Sequence, residues 1–171
     1  NSYGGYLGQY GDYSTAQITA AFPYQYGAWM ASNSLEDAQH TSLQVMFGNN
    51  PLETRMSGGG ELGVVQKIRK DHGIRTIVVD PRYSDTAVDA NGEWLPVRPG
   101  TDAAFIAGMI YEMVEEDLQD QEFLDKYCVG FDEDTLPDEA EPNSSYRAYL
   151  EGKGPDGIEK TPEWAAEICG V

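Results

Sequence analysis

An α/β fold with a mostly parallel sheet is what this sequence predicts, and three repeated features predict it. The stretch from Val45 to Asp102 holds three apolar, strand-like runs, each ending in a small polar cluster. Val45-Met46-Phe47 runs into Gly48-Asn49-Asn50-Pro51-Leu52-Glu53-Thr54. Thr76-Ile77-Val78-Val79 runs into Asp80-Pro81-Arg82, and Trp94-Leu95-Pro96-Val97-Arg98 into Pro99-Gly100-Thr101-Asp102. A helical stretch, roughly Gly60 to His72, separates the first two runs. Strand, helix and strand with a polar turn at each carboxyl end is the pattern of a nucleotide-binding β-α-β unit. The expectation is a three-layer, Rossmann-like domain. Its strands near residues 44–48, 75–80 and 95–98 are expected to be parallel and adjacent, with Asn49, Asp80 and Gly100 on one rim.

Taken in order, residues 1–32 are rich in Gly, Tyr and Ala and contain no Lys or Arg. Residues 8–15 read as a loop, and Thr15 to Ala21 as the start of a helix capped by Ser14 or Thr15. An uncharged, aromatic-rich segment of this kind is expected to pack against other protein. Asn33 to Ala38 reads as a short helix with a polar cap and acids in its first turn. After the first strand, Gly58 to Gly60 precede a helix whose Leu62, Val65, Ile68 and Arg69 follow helical spacing, with Gly73 as its stop. The second strand is nearly all apolar, as suits a strand buried on both faces. Thr101-Asp102 opens a helix with Phe105, Ile106, Met109, Ile110 and Met113 at its apolar positions. A further helix spans about Gln121 to Tyr127, an acidic loop runs from Asp132 to Asn143, and Pro162 to Ile168 forms a last short helix. No internal repeat or domain break is evident, so residues 1–171 are expected to form one domain.

Composition narrows the function. The length suits one domain with a real core. No apolar run approaches membrane-spanning length, and Asn1-Ser2-Tyr3-Gly4-Gly5 has neither a charged start nor an apolar stretch. The net charge is −18 and is unevenly spread: residues 115–171 carry seventeen acids and four bases, residues 41–100 seven of each. The neutral part is the part with the nucleotide-like turns, as phosphate binding requires. The acidic part reads as a solvated exterior or a face that meets another segment, and nucleic acid is not an expected partner. Cys128 and Cys169 lack metal-ligand spacing and read as two buried thiols rather than a disulfide. His40 and His72 read as ordinary surface or helix residues.

Each turn has a chemical reading and a plainer one. Gly48-Asn49-Asn50-Pro51 suits a tight turn that offers backbone N–H groups to an anion, with Glu53 and Thr54 adding polar contacts. The plainer reading is an ordinary Asn-Pro turn. Asp80 stands where dinucleotide sites place an acid on ribose hydroxyls or a ring N–H edge; with Pro81 it also makes a simple Asp-Pro turn. Arg82 suits a phosphate, or a surface ion pair worth about 0–1 kcal/mol. In Gly100-Thr101-Asp102 the carboxylate can accept the ring N–H and exocyclic amine of guanine together, or it can cap the helix that follows. No Gly-x-Gly-x-x-Gly follows any strand and no phosphate-loop Gly-Lys-Ser/Thr is present, which disfavours ordinary NAD enzymes and P-loop enzymes.

These segments resemble the catalytic subunits of the dimethyl sulfoxide reductase family, molybdenum enzymes that carry bis(molybdopterin guanine dinucleotide). The likeness lies in GDYSTAQI (Gly11 to Ile18), FGNNPLETRMSGGG (Phe47 to Gly60), IVVDPRYSDTA (Ile77 to Ala87) and EWLPVRPGTDAAFIAGM (Glu93 to Met109). FLDKYCVGFDEDTLP (Phe123 to Pro137) and GPDGIEKTPEWAAEI (Gly154 to Ile168) are similar to the catalytic chains of the anaerobic members. The resemblance implies that Gly48, Asn49, Asn50, Pro51, Glu53 and Thr54 meet the pterin–diphosphate part of one cofactor half. It places Asp80, Pro81 and Arg82 near its ribose, guanine or phosphate, and gives the guanine to Gly100, Thr101 and Asp102. Gly11-Asp12-Tyr13-Ser14 would lie near the metal end or the substrate funnel. Ser84 stands where the family often has Thr, so a hydroxyl is kept.

By the same resemblance, the iron–sulfur Cys motif and the molybdenum ligand belong upstream of Asn1, and a second dinucleotide-binding segment downstream of Val171. The chain then reads as one excised domain of a larger subunit, inactive alone. The implied activity is reduction of an S-oxide or N-oxide in anaerobic respiration. The implied partners are the rest of the subunit, an iron–sulfur electron-transfer subunit and a membrane anchor, at the periplasmic face of the inner membrane. A related oxyanion reductase, such as one for selenate, and a non-catalytic α/β binding module remain as alternatives.

Overall fold

The computed structural model describes residues 4, 5, 8, 15–28, 33–54, 60–90 and 93–171. Three parallel strands form one sheet in the order β1 (Leu43–Phe47), β2 (Arg75–Val79), β3 (Trp94–Leu95). The register pairs Met46 with Val78 and Phe47 with Val79, then Val78 with Trp94 and Val79 with Leu95. Side chains alternate along a strand, so Met46, Val78 and Trp94 share one face and Phe47, Val79 and Leu95 the other. The first set packs under Ala87 and Ala90, from and just after helix α3 (Asp85–Asp89). The second packs under Phe105 of α4 (Asp102–Glu115) and Cys169 of α7 (Pro162–Cys169). Helices on both faces of a parallel sheet make the expected three-layer α/β arrangement.

The first two strands lie within a residue of their expected bounds. The third is shorter than the expected 95–98 because Val97, the next residue whose backbone would face β2 after Leu95, does not continue the ladder. The Val97 N–H turns back to the Leu95 carbonyl (3.0 Å) and the Arg98 N–H goes to the Cys169 carbonyl (2.8 Å). Helix α2 (Gly60–His72) matches its expected span and stops at Gly73, at φ +62°. Arg69 of α2 meets Asp89 of α3 at 3.0 Å, a half-buried tie between the two crossovers. Helix α1 (Ala16–Tyr26) runs past the expected Ala21 and ends on a left-handed Gly27. It buries no residue against the rest of the described chain, so its expected packing is not made there. The short helix expected near residue 35 is a 3₁₀ turn, Leu35–His40, whose Asp37 carboxylate accepts the Ser34 N–H at 3.1 Å.

The acid-rich part is more than a solvated exterior. After α5 (Gln121–Tyr127) the expected loop contains a 3₁₀ turn, Glu133–Thr135. Asp132 holds Arg147 and Gln121, while Glu133 accepts the N–H groups of Asn143 (2.9 Å) and Ser145 (2.9 Å). These ties seat α6 (Tyr146–Leu150) beside α4. Cys169 is buried and Cys128 only half-buried, and both are free thiols; His40 and His72 are exposed.

Acid should loosen this part first. Burial pushes the Asp132 carboxyl up, but hydrogen bonds from Arg147 and Gln121 outweigh it and hold the group below the usual carboxylate range. Ser145, through its side chain and then its N–H, lowers Glu133 likewise. A carboxyl depressed in the folded state adds stability above its unfolded value, and that stability is lost as pH falls through the folded one. The thermal midpoint is therefore expected to drop as pH falls below about 4. Asp132→Asn should be less stable at neutral pH and show a shallower drop, followed by circular dichroism at stepped pH.

Candidate functional site

Gly48, Asn49 and Asn50 follow β1 directly, and Gly48 takes φ +56°, a conformation that favours glycine. Its N–H donates to the Val79 carbonyl at 2.9 Å, which ties the first turn to the end of β2. The Asn50 carbonyl then accepts the N–H groups of Glu53 (3.1 Å) and Thr54 (2.9 Å), closing a compact turn over the buried Pro51. The N–H groups of Asn49 and Asn50 have no acceptor among the described residues.

The second turn is locked to the first. The Arg82 guanidinium pairs with the Glu53 carboxylate across the two turns. That contact, ahead of the others, holds the Glu53 carboxyl below its ordinary range. Thr86 donates its hydroxyl to the Asn50 side chain (2.6 Å) and accepts the Leu52 N–H (3.3 Å). Asp80 accepts the Arg82 N–H at 2.8 Å, and its own carbonyl accepts the Trp94 indole N–H at 2.7 Å. The plainer readings of Asp80 and Arg82, an Asp-Pro turn and an ion pair, are thus both realised.

The third turn is held from elsewhere. Arg98 donates to the Glu167 (2.8 Å) and Ile168 (3.1 Å) carbonyls at the end of α7. Thr101 donates its hydroxyl to the Arg98 carbonyl at 2.7 Å, and Gly100 takes φ +78°. Thr101, not Asp102, is the residue that precedes α4, and Asp102 is its first helical residue. The capping reading of Asp102 is therefore overturned: its carboxylate caps nothing. It is half-buried and has no hydrogen-bond or ion-pair partner among the described residues. The structure joins the first two turns by direct bonds, and fastens the third to the carboxyl-terminal helix instead.

Sequence reasoning missed Thr86 and the short helix that carries it. The signal was present, since Ser84 caps α3 through the Ala87 N–H and Asp85 fills its first turn, as Ser-Asp before a helix does. It also missed Trp94 as a strut under Asp80 and Arg98 as an anchor. Gly11 to Ser14 and Gly58-Gly59 lie outside the described residues. An apolar groove of about 390 Å³ between α4 and α7 is lined by Phe105, Met109, Met113, Leu118 and Val171. It includes none of the turn residues and is not part of this site. Among the described residues no group of three His, Cys, Asp or Glu side chains is placed to hold a metal ion, and no helix is long and apolar enough to cross a membrane.

The family model described as molybdopterin oxidoreductase matches residues 1–159. Dimethyl sulfoxide reductase DmsA of Escherichia coli K12 is 54% identical over 171 residues, all of this chain and 21% of that protein. DmsA of Haemophilus influenzae is also 54% identical, over 172 residues and with the same coverage. The dimethyl sulfoxide/trimethylamine N-oxide reductase of Cereibacter sphaeroides is 33% identical over all of this chain and 20% of that protein. The chain spans about a fifth of the length of the curated relatives it matches.

Proposed function

The chain belongs to the molybdopterin oxidoreductase family, and from that premise we propose that it is the part of a larger catalytic subunit that grips the guanine dinucleotide end of a molybdenum cofactor. Family membership itself implies a molybdenum–molybdopterin group. The guanine dinucleotide form, the pairing of two such pterins and an iron–sulfur cluster elsewhere in the subunit belong to this reading. The whole enzyme removes oxygen from an S-oxide or N-oxide, a reading favoured over an oxyanion reductase by the relatives' names. An iron–sulfur subunit and a membrane anchor at the periplasmic face would supply its electrons.

When bound, the cofactor supplies a two-electron oxygen-atom removal that consumes two protons; the protein supplies binding and orientation. The residues present fit such a group. Gly48, Asn49, Asn50 and Pro51 offer two unspent backbone N–H groups to a diphosphate, with Glu53 and Thr54 beside them. Asp80 and Pro81 shape the neighbouring turn, and Arg82 can exchange Glu53 for a phosphate oxygen. Gly100 and Thr101 set the start of α4, where Asp102 presents its carboxylate. One observation carries the guanine assignment: Asp102 is half-buried, unpartnered among the described residues and free of any capping duty.

In the full-length subunit, Asp102→Asn is expected to lower molybdenum and pterin content together. A carboxylate accepts both guanine donors, whereas an amide accepts one and turns its own N–H₂ on the other. A hydrogen bond to a charged group is worth about 1.5–3 kcal/mol, so retention should weaken about tenfold or more. Metal analysis and pterin fluorescence read the loss, and the thermal midpoint of the cofactor-free form should not move. Full cofactor content in the purified variant would refute the assignment.

A further inference from the structure

The Glu53 carboxylate lies among three converging donors. The Arg82 guanidinium reaches it from the second turn. The side-chain amide of Asn50 and the Asp85 N–H donate to it as well. Thr86 settles which end of that amide is on offer. Its fully buried hydroxyl donates to Asn50 Oδ1 at 2.6 Å, so the amide oxygen is spent and the N–H₂ turns to the carboxylate. The same hydroxyl accepts the Leu52 N–H at 3.3 Å, which holds the chain between Asn50 and Glu53.

A carboxylate and a phosphoryl group make the same demand, N–H donors aimed at an anionic oxygen. Guanidinium, amide and backbone N–H are the parts from which phosphate sites are made. Here the protein's own side chain fills them. Glu53 can leave without cost to the core, since its side chain is 36% exposed and that of Arg82 65%. The donors keep their places without it. Thr86 holds Asn50, and the Asp80 carboxylate holds the Arg82 N–H at 2.8 Å. The N–H groups of Asn49 and Asn50, unspent among the described residues, stand in the turn just before it.

We propose that Glu53 is a specificity-determining residue of this site: a tethered anion that yields to a diphosphate and to no singly charged anion. This rests on the reading above that the first two turns hold the diphosphate of the cofactor. A short tether gives its carboxylate an effective concentration on the order of millimolar. A free carboxylate brings one charge and no further contact, so it does not displace Glu53. A diphosphate brings two phosphoryl groups. One takes the place of Glu53 on Arg82 and Asn50, and the other reaches the backbone N–H groups of Asn49 and Asn50.

Calorimetric titration of the cofactor-free full-length subunit with pyrophosphate, alone and against acetate, tests this. Glu53→Gln is expected to bind pyrophosphate about threefold or more tightly than the parent, because the charged competitor is gone. Glu53→Ala, with no side chain to fill the place, should do at least as well. Acetate should compete with pyrophosphate in both variants and not in the parent. Asp71→Asn removes the same charge near the end of α2 and should leave the affinity as it is. Arg82→Gln should lose pyrophosphate binding whatever stands at position 53. Glu53 variants that bind no more tightly, an equal gain in Asp71→Asn, or acetate competing in the parent would overturn the role of Glu53 while leaving the diphosphate reading intact. Pyrophosphate binding untouched by Arg82→Gln, or absent from the parent and every variant, would instead remove the diphosphate reading and the role of Glu53 with it.

Discussion

Lys160→Ala should cost about 3 kcal/mol or more of unfolding free energy, an unusually large loss for a lysine. Lys160 is fully buried. Its ammonium donates to the Ile158 carbonyl and to the Tyr149 carbonyl at 3.4 Å, and lies 2.9 Å from the Asp156 carboxylate. The rings of Tyr149 and Trp164 face it, with centroids at 4.2 and 5.3 Å. A buried charge persists only where it is paired and hydrogen-bonded, and here one acid, two carbonyls and two ring faces do both. Alanine strips the two carbonyls of their donor, at about 1–3 kcal/mol each where they stay dry, and leaves the space of a four-carbon stem empty. Methionine fills most of that space without the charge, so Lys160→Met should lose less than Lys160→Ala. Urea unfolding gives both values. A loss under about 0.5 kcal/mol for alanine would place the lysine among ordinary surface residues.

Gly108→Val should be comparably harmful, and Gly108→Ala decides why. Glycine inside a helix is worse than alanine by about 1 kcal/mol, so helix propensity alone makes Gly108→Ala stabilising. Packing says the reverse. A Cβ at Gly108 of α4 would stand 2.6 Å from the Ala165 Cβ of α7 and 3.4 Å from the Thr161 carbonyl oxygen. Gly108 and Ala165 are both buried, so the helices must separate, and overpacking of this kind costs about 1–3 kcal/mol. Valine adds two methyl groups to the same clash and should exceed alanine. The displacement also moves the carboxyl end of α7, where Arg98 is anchored. Cofactor retention in the full-length subunit should therefore fall with stability. A Gly108→Ala variant more stable than the parent would show that the close approach of the two helices is of no consequence.

What the sequence discloses of this fold follows how locally each feature is specified. β1, β2 and α2 are strong in pattern and were legible to within a residue or so. α4 declared itself through Thr101-Asp102 and its apolar spacing, and α7 through Thr161-Pro162. α3 and α6 are five residues each, too short for periodicity to appear, and only the serine before each betrays them. β3 was overextended because Val97 looks like a strand residue, whereas the partner that diverts the chain there, the Cys169 carbonyl, lies far along the sequence. The site divides the same way. Its three turns were readable as turns. That Asn50 would meet Thr86, Glu53 meet Arg82 and Arg98 meet α7 depends on tertiary packing, for which one sequence carries no local signal. Asp102 was placed correctly at the mouth of α4 but given a capping option that Thr101 forecloses by one position.

The grip of Arg98 on Glu167 and Ile168 also sets an order in time. The two ends of that contact are 69 and 70 residues apart. A growing chain can pair β1 with β2, and Glu53 with Arg82, soon after β2 has emerged from the ribosome. The turn that carries Asp102 has by then also been made, but it has nothing to lean on until α7 follows. At about 5–20 residues per second, that interval is roughly 4–14 s. Through it the nascent protein would hold two of the three turns of the proposed nucleotide site in place and the third adrift. If these turns bind the cofactor as proposed, its loading waits until this whole stretch has been translated.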